Sequence, residues 1–168
     1  MQLSRRQILI GTLAGGGLAV GYMLRPRSFP LPLAAGRDEV AFDAWIKIAT
    51  DGTVAVAVPQ LEMGQGITTL IPRIVAEELG ADWTRIAVEP APASPLYANF
   101  PLAARWAELW MPVLPGIAAH PDGAILRRVA RDSRFALTAD GSSLAAFEAP
   151  ARAAAASARA MLAMAAAD

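Results

Sequence analysis

Residues 53–90 read TVAVAVPQLEMGQGITTLIPRIVAEELGADWTRIAVEP, and the pattern of apolar residues changes twice along them. Valine alternates with smaller residues over 53–58, and this period of two predicts a strand. From Ile67 to Leu79 the apolar residues recur at helical spacing, and Gly80 predicts the end of that helix. Residues 85–90 again predict a strand. The stretch therefore predicts a strand, a glycine-containing turn, a helix and a second strand.

Two local signals extend this unit upstream. Residues 44–48 (AWIKI) predict another strand, and Asp51-Gly52 lies between the two strands as a strong hairpin signal. In the helix, we expect Thr68 or Thr69 to cap the start and Pro72 to lie in the first turn, where a missing amide hydrogen is tolerated. The fold class predicted is α+β, built on a β-hairpin, a helix and a strand.

The second half of the chain gives weaker signals. Residues 90–132 contain many of the prolines and predict loop with short helical pieces, such as 124–131. A short strand-like entry at Phe135 precedes a small polar loop. Residues 145–167 are alanine-rich and predict a helix with Pro150 in its first turn. Since this composition continues to Asp168, we expect an incomplete domain, with residues 37–168 as the N-terminal portion of a larger one.

Composition excludes several kinds of protein. The 168 residues carry 15 Lys and Arg against 15 Asp and Glu, and this zero net charge argues against a nucleic-acid partner. Cysteine is absent, which excludes a disulfide framework and a thiolate metal site. Any iron–sulfur cluster used by this protein would therefore belong to another polypeptide.

Residues 1–36 look like an export signal followed by a linker. Ser4-Arg5-Arg6 precedes an apolar stretch, residues 8–24, that five glycines dilute, and Arg25 and Arg27 follow it. Twin arginines with weak hydrophobicity are typical of the twin-arginine route, which implies a periplasmic location or the periplasmic face of the inner membrane. A plain membrane-anchor helix is the alternative, although the apolar stretch is shorter than the roughly 20 residues that a span requires.

The turn Met63-Gly64-Gln65-Gly66 is the first candidate site. Glycine permits positive φ and close approach of a ligand to the backbone, and the helix that follows would point free N–H groups toward the turn. The amide of Gln65 can both donate and accept. A phosphate or a pterin would fit such a corner, but from the spacing alone an ordinary tight turn is the favoured interpretation.

A wider pattern adds a resemblance. VPQLEMGQGITT (58–69), IVAEELGADWTRIAVEPAPASPLYAN (74–99) and the WIKI…DGTV hairpin (45–54) stand in the order typical of one protein family. They resemble the molybdopterin-binding subunits of the xanthine dehydrogenase/aldehyde oxidase family, in the branch of the isoquinoline 1-oxidoreductase beta subunit. The resemblance extends from Ser4 to about Asp168.

The resemblance implies a set of cofactor contacts. In the family the first loop packs against molybdopterin, which assigns Met63, Gly64, Gln65 and Gly66 here, with Glu62 in support. A second loop, usually TGGSTS, here reads TADGSS (138–143). It assigns cofactor contacts to Gly141, Ser142 and Ser143. Two glycines of the usual loop are replaced by Ala139 and Asp140, and we expect the added carboxylate to shift the loop or repel a phosphate.

Family members hydroxylate aldehydes or N-heterocycles with oxygen derived from water. The resemblance implies molybdopterin, in its cytosine dinucleotide form, a small partner subunit with the [2Fe–2S] cluster, the remainder of the molybdenum subunit and a c-type cytochrome. No glutamate here matches the family's catalytic base, so we assign no catalytic or metal-binding residue. The alternative is a non-catalytic exported or membrane-anchored module that retains the family's N-terminal fold.

Overall fold

The computed structural model describes the backbone of residues 5–167 and the side chains of residues 11, 13, 15–22 and 25–167. Four strands lie in it: β1 (Glu39–Phe42), β2 (Ile46–Ala49), β3 (Val54–Val58) and β4 (Ile86–Pro90). Its α-helices are α1 (Arg5–Leu24), α2 (Ile67–Leu79), α3 (Phe100–Arg105), α4 (Ala107–Trp110), α5 (Pro115–Ala118), α6 (Ala124–Asp132) and α7 (Ser142–Ala165). Short 3₁₀ helices cover Trp83–Arg85 and Pro95–Tyr97. The predicted α+β class is confirmed.

The strands form one mixed sheet in the order β1-β2-β3-β4. The pairs β1–β2 and β2–β3 are antiparallel, whereas β3 and β4 are parallel, with Val54 opposite Ile86 and Val58 opposite Pro90. A parallel pair needs a long crossover, which α2 provides. The predicted hairpin, helix and strand are thereby confirmed. Strand β1 was not predicted, because its EVAF sequence is only four residues long and does not alternate apolar with polar residues.

The hairpin turn between β2 and β3 uses Asp51 and Gly52 as predicted. Gly52 has φ 86°, and the Asp51 carboxylate accepts a hydrogen bond of 2.8 Å from the Thr53 amide. Arg85, just before β4, donates through its guanidinium to the Asp51 carbonyl oxygen. The turn is thus held from within and from the far edge of the sheet.

The main core lies between the sheet, α2 and α7. Trp45 is central to it: its ring meets Tyr97 edge-on at a centroid distance of 5.4 Å and Phe147 at 5.8 Å. Alanines on the buried face of α7 allow the helix to lie close to α2. The other buried members of this cluster are Ala44, Ile46, Val54, Val56, Val58, Ile67, Ile71, Val75, Ala151, Ala154, Ala155 and Ala158. The Trp45 side chain is almost fully buried in this core, with 3% of its surface exposed.

Both expected proline positions were wrong. Pro72 lies inside α2, which begins at Ile67, and Pro150 lies inside α7, which begins at Ser142. Each is beyond the first turn, where a proline removes a backbone hydrogen bond. Packing overrides the local preference at these positions, since α2 and α7 bury their apolar faces against each other and against the sheet.

The strand-like entry at Phe135 was also wrong. Residues 135–139 are irregular, and their carbonyl groups are used by polar groups from elsewhere. Phe135 O accepts from the Asn99 amide at 2.7 Å, and Ala136 O accepts from the Gln60 side chain at 3.1 Å. Because these donors belong to separate residues and not to a neighbouring strand, residues 135–139 form no β-ladder.

The first helix, α1, carries the glycine-diluted stretch, and the glycines on it have no neighbouring atoms within 4 Å of an added Cβ. Of the helices in residues 5–167, none has the length and apolarity that crossing a membrane requires. Ser4 and the side chains of Arg5 and Arg6, on which the export prediction depends, lie outside the described part of the chain.

Candidate functional site

The first loop lies between β3 and α2. Gly64 has φ 91° and Gly66 has φ 76°, both in the left-handed region that glycine tolerates best. Gly66 occupies the N-cap position of α2 and has no side chain that could accept a hydrogen bond from the helix amides. The expectation that Thr68 or Thr69 caps the helix was wrong, because the acceptor comes from Glu62 instead.

The Glu62 carboxylate accepts hydrogen bonds from several backbone amides of this loop. One oxygen accepts from Gly64 N at 2.9 Å and Gly66 N at 2.8 Å, and the other accepts from the Thr68 amide at 3.1 Å and its hydroxyl at 2.9 Å. These hydrogen bonds, foremost those from Gly66 and Thr68, lower the pKa of Glu62 from 4.5 to about 2. The start of α2 therefore already holds a negative charge, supplied by the chain itself.

The side chain of Gln65 closes the loop in a similar way. Its amide oxygen accepts from Met63 N at 2.6 Å, and its amide nitrogen donates to Leu61 O at 2.6 Å. The donor and the acceptor of the Gln65 amide, which we expected to face a ligand, thus both form hydrogen bonds within the loop. The Met63 side chain is exposed. In this conformation the loop presents backbone and the Met63 thioether outward.

The second loop precedes α7. Gly141 has φ 61° and stands at the N-cap of that helix, and Asp140 has φ 51°. The Asp140 carboxylate accepts a 2.7 Å hydrogen bond from the Trp106 indole, while Arg105 donates to the Asp140 carbonyl oxygen at 2.7 Å. The Arg105 guanidinium also lies 3.8 Å from the carboxylate. The charge expected to repel a phosphate is therefore directed toward α3 and its C-terminal end, where it has two partners.

Ser142 and Ser143 point into the protein. Both are buried. The Ser142 hydroxyl donates to Ala139 O at 2.7 Å, and the Ser143 hydroxyl donates to the Gln60 side-chain oxygen at 2.9 Å. A ligand would meet this loop at Gly141 and at the backbone, so cofactor contact through the two hydroxyls stays a prediction.

Two buried amide side chains, those of Gln60 and Asn99, hold the loops, and neither was predicted to have this role. Gln60 accepts from Ser143 and donates to Ala136 O, so that it joins the first loop to the second. Asn99 donates to Leu137 O at 3.0 Å and to the Ser142 hydroxyl at 2.8 Å, and accepts from Leu102 N at 3.1 Å. The sequence signal available for Gln60 was a side-chain amide two residues after a buried strand.

The two loops face one small cavity of about 120 Å³. Its lining comes from both predicted loops: Met63, Gln65, Thr138, Ala139, Asp140, Gly141 and Ser143. A Cβ placed on Gly64 or Gly141 would meet no atom within 4 Å, so both glycines border open space that a side chain would fill. Within residues 5–167, no group of three His, Cys, Asp or Glu could hold a metal ion. These residues fit one wall for an organic group that approaches backbone.

Comparison with known proteins identifies the family. Residues 9–99, just over half of the chain, match the molybdopterin cofactor-binding domain. The chain belongs to this family. It is 45% identical over 64 residues to the isoquinoline 1-oxidoreductase subunit beta of Brevundimonas diminuta, covering 38% of this chain and 8% of that protein.

A second relative matches a longer segment of this chain. The membrane-bound aldehyde dehydrogenase [pyrroloquinoline-quinone] of Gluconacetobacter polyoxogenes is 36% identical over 115 residues, or 65% of this chain and 14% of that protein. The chain thus spans about a tenth of the length of the curated relatives it matches. The match to residues 9–99 includes the first loop and Asn99, whereas the second loop lies beyond it.

Proposed function

We propose that this chain forms one wall of the molybdopterin site in a molybdenum-dependent oxidoreductase. The observation that carries the proposal is the meeting of the two loops, at residues 61–66 and 138–143, around one cavity. Membership in the molybdopterin cofactor-binding domain family supports the identity of the group that approaches them. Gly64 and Gly141 border open space, so that backbone on each side can come into contact with a flat cofactor.

The residues of this chain would bind and orient the cofactor. Glu62 and Gln65 set the shape of the first loop through their hydrogen bonds, and Gln60 and Asn99 set the position of the second. When bound, molybdopterin would supply the metal centre at which oxygen derived from water is transferred to an aldehyde or an N-heterocycle. These substrate classes follow from the two relatives, an isoquinoline oxidoreductase subunit and an aldehyde dehydrogenase.

The remaining parts of such an enzyme would lie outside this chain. Because the chain has no cysteine, electrons would leave through a [2Fe–2S] cluster on a small partner subunit and pass to a c-type cytochrome. The remainder of the molybdenum subunit would supply the catalytic base. We further propose the cytosine dinucleotide form of the cofactor, and export by the twin-arginine route to the periplasm or the periplasmic face of the inner membrane.

The alternative is a non-catalytic exported or membrane-anchored module. One observation favours it: several amide donors of the first loop are already bound by Glu62, and the Gln65 side chain is used within the loop. A cofactor that needed these groups would first have to displace them. The two functions differ in whether the complete complex contains molybdenum and a pterin.

The decisive experiment is co-expression with the remainder of the subunit and the iron–sulfur subunit, followed by measurement of molybdenum and pterin per folded chain. Gly64→Asn and Gly141→Asn place a side chain in the open space beside each loop while keeping left-handed backbone that asparagine tolerates. Gly80→Asn, at the other end of α2 with φ 75°, is the matched control. We expect both loop variants to lower molybdenum and pterin, and the control to retain them.

Three results would count against the proposal. A wild-type complex without molybdenum or pterin would support the non-catalytic module, and a complex that contained pyrroloquinoline quinone instead would assign a different cofactor. Loop variants that retained full cofactor content would show that the glycines serve only as turn residues. Circular dichroism of each variant separates loss of cofactor from loss of fold.

A further inference from the structure

A second candidate site lies between the segment that follows α1 and helix α6. A cavity of about 210 Å³ opens there and shares no lining residue with the cavity of the two loops. Five arginines line it, together with one carboxylate, that of Asp132. The arginines are Arg25, Arg27, Arg127, Arg128 and Arg131. A chain of zero net charge thus gathers a third of its 15 basic residues around one small space.

The carboxylates near the cavity do not balance this charge. Asp132 is shared between Arg27, at 2.7 Å, and Arg128, at 3.1 Å. Asp122 pairs with Arg127 at 2.5 Å from outside the lining. Among the described residues, the ion pairs of these five arginines use two carboxylates, which leaves an excess of three positive charges. Such an excess attracts an anion.

Arg131 gives an independent sign of an absent partner. Its Nε is buried and has no hydrogen-bond partner among the described residues. The guanidinium lies over the Phe100 ring at 5.3 Å, so one face is covered by an aromatic group that cannot accept at Nε. A buried donor without an acceptor is costly, and a bound water or ion is one of its recognised explanations.

We propose that this cavity binds the phosphate group of a phosphate ester. Guanidinium groups form paired hydrogen bonds with phosphate oxygens, and the cavity is large enough for one phosphate with its ester oxygens. Its location favours a lipid headgroup as the source. Arg25 and Arg27 follow directly after α1, which exposes Leu13, Leu18, Val20 and Tyr22, so an apolar surface leads into the basic cavity.

The test uses the purified full chain and two sources of phosphate. Binding is measured by co-sedimentation with vesicles of phosphatidylcholine alone or mixed with phosphatidylglycerol, and by calorimetry with inorganic phosphate and glycerol 3-phosphate. We expect binding to the phosphatidylglycerol vesicles that exceeds binding to phosphatidylcholine. Arg25→Gln and Arg131→Gln should each weaken it about fivefold, the effect of one basic residue at an anionic surface.

Arg73→Gln removes the same charge from the exposed face of α2, outside the cavity, and serves as the matched control. Arg25 lies on the linker, so its variant keeps the test valid if Arg131→Gln unfolds the chain. Binding of the soluble phosphates that both cavity variants weaken would also support the site, with a soluble ester as its ligand. The proposal is overturned if no phosphate source binds, or if Arg73→Gln weakens binding as much as the cavity variants do.

Discussion

The Ser143 hydroxyl donates a 2.9 Å hydrogen bond to the side-chain oxygen of Gln60, and both residues are buried. Gln60 follows β3, whereas Ser143 lies in the first turn of α7, so the bond joins the two loops of the candidate site directly. The same glutamine donates to Ala136 O at 3.1 Å. Gln60 is therefore one of the groups that fix the relative position of the loops, beside the 3.1 Å hydrogen bond from Leu61 N to the Thr138 hydroxyl.

Replacement of Gln60 by alanine should destabilise the fold and loosen the second loop. The Ser143 hydroxyl and the Ala136 carbonyl would each lose a partner, at a cost of about 1–3 kcal/mol for a buried group left unpaired. Urea unfolding of Gln60→Ala, Ser143→Ala and the double variant measures the coupling between the two side chains. Ser157→Ala, on the exposed face of α7, is the control. Strictly additive effects would contradict the coupling.

Glu62 should make stability depend on pH in acid. Its folded-state pKa of about 2 lies below the ordinary value of 4.5, so its contribution is fully present above pH 4.5 and is lost as pH falls toward 2. In Glu62→Gln this contribution is absent, and the stability of the variant should fall less than that of the wild type between pH 5 and pH 2. Denaturant unfolding at a series of pH values measures the difference.

The matched control for that experiment is Glu77→Gln, at an exposed position of α2. It removes one carboxylate of the same type without touching the Gly64–Thr68 amides. If Glu77→Gln changed the acid dependence as much as Glu62→Gln, the effect would belong to the overall charge of the chain and not to the loop.

Gly52→Ala should cost about 1–2 kcal/mol, the strain of a side chain in left-handed backbone. A Cβ at this position would also lie 2.6 Å from the Arg85 guanidinium, which would have to move away from the Asp51 carbonyl oxygen that it now contacts. Gly116→Ala, in α5 with nothing within 4 Å of the added Cβ, should instead be neutral or mildly stabilising. Thermal unfolding compares the two, and equal losses would be inconsistent with a special role of the hairpin turn.

Export should depend on the paired arginines near the N-terminus. Replacement of Arg5 and Arg6 by lysine keeps the charge but removes the motif, and should abolish transport of a fused reporter to the periplasm. The same replacement at Arg25 and Arg27 is the control and should leave transport largely intact. Undiminished transport of the first variant, or transport through the general secretory route, would refute the proposed signal.

The local elements around the first loop could be predicted because their signals are local. Alternating valines, the Asp51-Gly52 turn and glycines at both ends of α2 each act over a few residues, and the structure has a strand, a hairpin and a helix at those places. The same reasoning failed for Pro72 and Pro150. Tertiary burial of α2 against α7 outweighs the local cost of a proline, and no short-range pattern reports that balance.

By itself, the sequence determined the hairpin–helix–strand unit, the left-handed glycines at 64 and 66 and the family to which the chain belongs. Only the tertiary structure decided which polar groups face a ligand. Glu62, Gln65, Ser142 and Ser143 all carry the chemistry expected of contacts, yet their hydrogen bonds lie within the protein. The reason is physical: a side chain's partners depend on which distant segments pack beside it, and spacing along the chain does not contain that information.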